Sequence, residues 1–225
     1  MDGMLIVIEG LDGSGKATQA EMMYKELCHR GASVRKVSFP DYESTSSSLV
    51  KMYLNGEFGI HPDDVNAYAA SSFYAVDRYA SYKKDWKDFM DSGGIVISDR
   101  YTTSNAVHQC SKLPKERWDE YLNWLFDYEY KLLGIPEPKL TFYLHVDPEV
   151  SQQLMSKRYK GDEQKKDIHE KDLDYLKRSQ DAASYCADKL GWTVIECCQN
   201  GTMKSIEEIH RNVIKSVFEL LDATS

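Results

Sequence analysis

The first apolar run of the chain, Leu5-Ile6-Val7-Ile8, passes through Glu9 into Gly10-Leu11-Asp12-Gly13-Ser14-Gly15-Lys16-Ala17-Thr18, and no other stretch restricts the fold as tightly. The spacing G-x-x-x-x-G-K predicts a strand that ends in a loop whose backbone N–H groups turn inward on a phosphate chain. The helix that follows, from Thr18 to Arg30, would offer its positive end to the same charge. A glycine-rich turn without a ligand would share the glycines but not the lysine and the amphipathic helix together. A hydroxyl directly after the lysine would complete such a loop by reaching Mg²⁺. Here that position is Ala17, and the hydroxyl comes one residue later on Thr18.

Short apolar runs alternate with longer amphipathic stretches along all 225 residues. Strands are expected at Leu5–Glu9, Val34–Phe39, Ile95–Ser98, Leu140–Val146 and Thr193–Cys197. Helical stretches are expected at Ser47–Leu54, Asp63–Asp91, from Ser98 towards Leu133, at Pro148–Lys157, Lys171–Leu190 and Ile206–Leu221. Such βαβα order predicts an α/β fold in which five parallel strands form one sheet covered by helices on both faces. The length suits one domain, residues 1–225. Residues 157–166 have no apolar face to bury and are expected to form a solvated loop or a basic lid over phosphates.

The chain carries 28 Lys and Arg against 36 Asp and Glu, for a formal net charge of −8, which argues against a nucleic-acid-binding surface. Five cysteines lack C-x-x-C spacing and read as reduced thiols. No run reaches the roughly 18 apolar residues of a membrane span, and the first strand lacks the flanks of a signal peptide. A soluble, cytoplasmic protein is expected.

Three further segments carry candidate chemistry. Asp99-Arg100-Tyr101 follows an apolar strand, at the sheet edge where ligands bind in open α/β folds. There a carboxylate can hold hydrated Mg²⁺, and a guanidinium can bridge phosphate oxygens. Tyr74 and Arg78 are four residues apart on a helical stretch, so an aromatic plate and a cation share one face. Phe39-Pro40-Asp41-Tyr42 ends the second strand and should reach the same crevice. The histidines show no metal-ligand spacing, Asp167–Glu170 has capping-box spacing, and Asn200-Gly201-Thr202 matches a glycosylation sequon by letters alone.

Taken together these segments resemble the thymidylate kinases, which transfer the γ-phosphoryl group of ATP to dTMP. The likeness spans nearly the whole chain. It rests on Ile8–Lys16, Phe39-Pro40, Tyr74-Ala75-Val76-Asp77-Arg78, Asp99-Arg100-Tyr101 with Ser104-Asn105, and Leu133-Gly134-Ile135-Pro136-Glu137-Pro138. It implies a three-layer P-loop NTPase-type fold with a small mobile lid at about 157–170. It also implies a homodimer and dependence on Mg²⁺.

By resemblance, Gly10, Leu11, Asp12, Gly13, Ser14, Gly15, Lys16, Ala17 and Thr18 hold ATP, with Lys16 on the transferring group. Phe39, Pro40, Tyr74, Arg78, Arg100, Ser104, Asn105 and His108 surround dTMP. Tyr74 stacks on thymine, Arg78 bonds its carbonyl and Asn105 reads its edge. Lys16, Arg100, Asp12 and the lid residue Arg158 form the catalytic set, with Lys157 and Lys160 nearby. Asp12, Asp99 and Glu170 are the metal candidates. No general base is needed, because the acceptor phosphate is already anionic.

The chain departs from the family pattern at Ala17, at Asp41, where an arginine often clamps the acceptor phosphate, and at His108, where a tyrosine is frequent. Those departures leave open a related pyrimidine nucleotide or deoxynucleoside kinase, or a nucleotide-binding protein with weakened catalysis.

Overall fold

The computed structural model describes residues 3–147, 149–151, 153, 154, 169 and 173–224. Its centre is a five-stranded parallel sheet of Met4–Glu9 (β1), Val34–Ser38 (β2), Ile95–Asp99 (β3), Leu140–His145 (β4) and Thr193–Glu196 (β5), in the order β2-β3-β1-β4-β5. Every side chain of β1 is buried, as expected for a central strand covered on both faces. Alternate residues serve opposite layers. Met4, Ile6 and Ile8 pack with Lys16–His29 (α1) and, across the same face, with Ile209, Val213 and Val217 of the C-terminal helix Ile206–Thr224. Leu5 and Val7 face the other side, against Phe39, Trp86 and Tyr101. Each of these fully buried aliphatic side chains contributes roughly 1.5–3 kcal/mol relative to exposure.

The second layer is built from Ser48–Leu54 (α2), Ala67–Ser81 (α3), Lys87–Asp91 (α4), Thr102–Cys110 (α5), Trp118–Phe126 (α6) and Leu173–Lys189 (α7); the C-terminal helix is α8. Sequence periodicity suggests one helix over Asp63–Asp91, but the chain breaks it. Pro62–Asp64 forms a 3₁₀ turn, and Asn66 starts α3 by accepting the Ala69 N–H at 2.9 Å. A π-helical turn, Tyr82–Trp86, then joins α3 to α4 and turns Trp86 fully into the core. A second such turn, Asp127–Leu132, extends α6 and buries Glu129. The chain also forms a small hairpin, Cys198–Gln199 (β6) with Thr202–Met203 (β7). Its turn uses positive φ at Asn200 (51°) and Gly201 (69°), as a two-residue type I′ connection requires.

Parallel registers fix the functional edge. Ile8 and Ser38 both lie beside Asp99, so the loops after β1, β2 and β3 emerge together at the carboxyl ends of neighbouring strands. Among the described residues no helix is long and apolar enough to cross a membrane.

Candidate active site

The loop after β1 wraps back on itself before α1. Gly10 adopts φ +156°, and a Cβ there would meet Ser14 Oγ at 2.6 Å and the Leu144 carbonyl at 3.0 Å, so only glycine fits. Gly15, at φ +87°, is the N-cap of α1 and has no neighbour within 4 Å of a virtual Cβ; its backbone angle is what calls for glycine. Lys16 is buried and its Nζ donates to the Leu11 carbonyl at 3.0 Å, closing the loop as a ring. Burial and then the charge of Arg100 lower the Lys16 pKa. Ala17 and Thr18 are exposed at the first turn of α1.

A cavity of about 650 Å³ runs from this loop to α3. Asp12, Gly13, Gly15, Lys16, Ala17 and Thr18 line it from the phosphate loop, Asp99 and Arg100 with Ser104 and His108 beside the Arg100 guanidinium, and Phe39, Pro40, Tyr74, Arg78 and Asn105 towards α3. Tyr42 and Tyr101, from segments expected at the crevice, line it too, and so do five residues given no place there from the sequence, namely Ser38, Leu54, Gln109, Leu154 and His169. Gly10, Leu11 and Ser14 shape the loop behind this surface. Lys157, Arg158, Lys160 and Glu170, and with them all of the expected lid but His169, lie outside the described residues.

Arg100 occupies the middle with φ +66°, a backbone conformation that side chains other than glycine rarely adopt. The chain reverses there between β3 and α5, held by the Arg100 N–H on the Ile8 carbonyl at 3.1 Å. The reversal carries the guanidinium to Asp12, with Nη2 to Oδ1 at 2.5 Å, and leaves Glu9 Oε1 3.8 Å from Nη1. Burial works against both charges of the Arg100–Asp12 pair, and their mutual attraction overrides it. The Asp12 carboxyl is therefore held well below the usual carboxylate range and Arg100 above its own. Glu9, part of the Ile8–Lys16 run but given no role from the sequence, is buried and accepts from the Gly10 N–H at 3.0 Å, Thr103 Oγ1 at 3.0 Å and Ser104 Oγ at 2.6 Å.

His108 Nε2 lies 3.3 Å from Arg100 Nη1. A guanidinium can only donate, so Nε2 accepts and the ring proton sits on Nδ1, 3.2 Å from the Tyr175 hydroxyl. Burial, followed by the charge of Arg100, pushes the His108 pKa down to about 3. His169 stacks on it with ring centroids 5.7 Å apart, and its Nε2 meets the Tyr53 hydroxyl at 2.8 Å. Lys112 also donates to that hydroxyl, at 2.7 Å, and burial lowers its pKa to about 7.

Arg78 and Asn105 have a different setting. Arg78 is 1% exposed and forms a two-pronged pair with the fully buried Glu129, Nε to Oε2 at 2.7 Å and Nη2 to Oε1 at 2.6 Å. Asn105 donates from Nδ2 to Glu129 Oε1 and to the Ser71 carbonyl, each at 3.2 Å. Asp41, a departure noted in the sequence, is absent from the cavity lining. Its N–H instead donates to Asp77 Oδ2 at 2.9 Å, tying the loop after β2 to α3.

Among the described residues no group of three or more His, Cys, Asp and Glu side chains could hold a metal ion by itself. One carboxylate is nonetheless at hand, because Asp99 lines the cavity and its buried Oδ1 has no hydrogen-bond partner among the described residues. A carboxylate of this kind fits Mg²⁺, which keeps several waters and takes its other ligands from phosphates.

Comparison with known proteins bears on the family and the fold. A sequence model of the thymidylate kinases matches residues 8–213. The chain is 30% identical to the thymidylate kinase of Mycobacterium tuberculosis over 178 residues, 78% of this chain and 82% of that protein. It is also 30% identical to a probable thymidylate kinase of Staphylothermus marinus over 220 residues, 98% of this chain and 97% of that one. The structure of the Candida albicans thymidylate kinase superposes with a TM-score of 0.73 at 22% identity, covering 97% of this chain and 92% of that one, a likeness of fold.

Proposed function

We infer that this chain, which belongs to the thymidylate kinase family, is an ATP-dependent nucleoside monophosphate kinase that converts dTMP and ATP to dTDP and ADP. One observation carries the assignment of roles: a single cavity has a phosphate loop at one end, an aromatic and amide-lined recess at the other, and Arg100 between them. That arrangement supports ATP phosphates on Gly13–Thr18 and the acceptor base among Tyr74, Arg78 and Asn105.

Phosphoryl transfer spreads negative charge over the oxygens of a loose transition state, so positioning and fixed positive charge do most of the work. Lys16 would leave the Leu11 carbonyl for the donor phosphates. Arg100 would bridge donor and acceptor, with Asp12 and Glu9 keeping its guanidinium aimed between use on one nucleotide and the next. His108, neutral and accepting from Arg100, fixes the guanidinium from the other side without adding repulsion. Phe39 and Pro40 wall the cleft. Asp99 is the residue best suited to Mg²⁺ or its water, and the ion, when bound, would neutralise charge on the ATP phosphates. No hydroxyl at position 17 takes part. Arg158 and Glu170 belong to the same reading, as do a single domain, a homodimer and a cytoplasmic location.

The test is an acceptor panel with purified protein and Mg²⁺·ATP. dTMP should support ADP release in preference to dUMP, dCMP, UMP and thymidine. Preference for another acceptor would reassign the substrate, and nucleotide binding with no dTDP in Mg²⁺ or Mn²⁺ would point to a binding protein.

A further inference from the structure

We propose that Glu129 sets the choice of base by fixing the side-chain amide of Asn105, an inference that rests on the recess beside Tyr74 receiving the acceptor base. Glu129 belongs to no motif and sits in the π-helical turn after α6, fully buried. Its two oxygens accept four bonds: Arg78 Nε at 2.7 Å and Nη2 at 2.6 Å, Thr102 Oγ1 at 2.8 Å, and Asn105 Nδ2 at 3.2 Å. The second hydrogen of Asn105 Nδ2 goes to the Ser71 carbonyl, also at 3.2 Å.

Both amide hydrogens of Asn105 therefore point at groups that only accept, a carboxylate paired with an arginine and a main-chain carbonyl. Turning the amide over would set Oδ1 against both, an arrangement that buried polar groups avoid strongly. Asn105 lines the cavity, so the atom left to address a ligand is Oδ1, an acceptor. An acceptor suits the ring N–H of a thymine or uracil imide. Cytosine carries a lone pair at that ring position and an amino group on the adjacent carbon. The same carboxylate holds Arg78, a donor that suits the imide carbonyl and not the amino group. One buried carboxylate thus orients an acceptor and a donor in the order that an imide edge requires. Glu129 is a positioning residue: it acts through Asn105 and Arg78.

Glu129→Gln tests this. An amide that turns its NH₂ towards position 105 no longer accepts from Asn105, which leaves the Ser71 carbonyl alone to hold Oδ1 in the cavity. The ratio of kcat/KM for dTMP over dCMP should fall about tenfold or more, the scale of one lost hydrogen-bond discrimination. The ratio of dTMP over dUMP should stay unchanged, because those bases share the imide edge. Thermal melting checks that the variant folds; if it does not, Glu129→Asp keeps the charge beside Arg78 while withdrawing the carboxylate from Asn105, and the same ratios are read. An unchanged dTMP:dCMP ratio in a folded, active variant overturns the inference, as does an equal fall in the dTMP:dUMP ratio, which marks general loosening. Absence of dTDP with the unmutated protein is a separate result, one that overturns the functional reading itself.

Discussion

Arg78 and Arg100 line the same cavity, and their surroundings are opposite in kind. Arg78 lies in a regular helix, 1% exposed, with its two-pronged bond to a carboxylate that Thr102 and Asn105 also saturate. The Arg100 side chain is 18% exposed, sits on a strained backbone, and faces an Asp12 that is itself 21% exposed. A closed ion pair can position neighbours but cannot release its charge to a ligand. An open one can exchange partners. The two ends of the cavity thus divide selection from phosphate chemistry.

The difference predicts opposite phenotypes. Arg78→Met leaves Glu129 buried and unpaired, and such broken pairs cost about 3–5 kcal/mol, so chemical denaturation should show a loss of that size. Arg100→Ala should melt much closer to the parent while turnover falls ~10²-fold or more, the scale of one removed preorganised donor, and Lys16→Ala should do the same. Measuring stability and turnover on each variant checks the division. Parent-like turnover in Arg100→Ala would remove its bridging role, and parent-like stability in Arg78→Met would remove the contrast.

Acid should separate the two ends next. His108 beside Arg100 has a pKa pushed from 6.5 to about 3, and burial drives that of His169 well below 6.5 too. Between those values the unfolded chain binds protons that the folded one refuses, so the stability that rests on these histidines is present above pH 6.5 and is lost as pH drops towards 3. Among the described residues, no histidine is hydrogen-bonded to the Arg78–Glu129 pair. His108→Gln should therefore flatten the acid limb, recovering about 2 kcal/mol of the stability lost between roughly pH 6.5 and 4.5. Melting curves across that range decide it, and identical acid limbs would place the titration elsewhere.

The two ends were also unequally legible in the sequence. Gly10–Lys16 and Asp99-Arg100 each sit within one short segment, and the strand before each fixes the edge on which it emerges. Arg78 and Asn105 could be named from spacing and resemblance, but their controlling partner could not. Glu129 is 51 residues from Arg78 and reaches it only because a π-helical turn rotates it inward, which periodicity does not encode. Glu9 was hidden differently, inside an apolar strand that makes its burial look incidental. The β6–β7 hairpin has a signal that the expected strands leave out, since Asn200-Gly201 is a strong turn dipeptide as well as part of a sequon by letters alone. The break before α3 follows from Asn66, whose capping oxygen outweighs the helical pattern that continues on both sides.

The smallest expected effect isolates the backbone at Arg100. Arg100→Ala and Arg100→Gly both delete the guanidinium, so they share every lost contact with Asp12, Glu9 and His108. They differ in what φ +66° costs. A Cβ in the left-handed region costs roughly 1–2 kcal/mol, and glycine escapes it while giving back about 0.4–1 kcal/mol through its freer unfolded chain. Arg100→Gly should therefore be the more stable of the two by about 1 kcal/mol or somewhat less. The corresponding pair at position 78 should reverse the order, since glycine within a helix is worse than alanine by a similar amount. Denaturation of the four variants measures both differences. Alanine the more stable at both positions would mean that no strain is held at Arg100, and the reversal between β3 and α5 would then need no functional account.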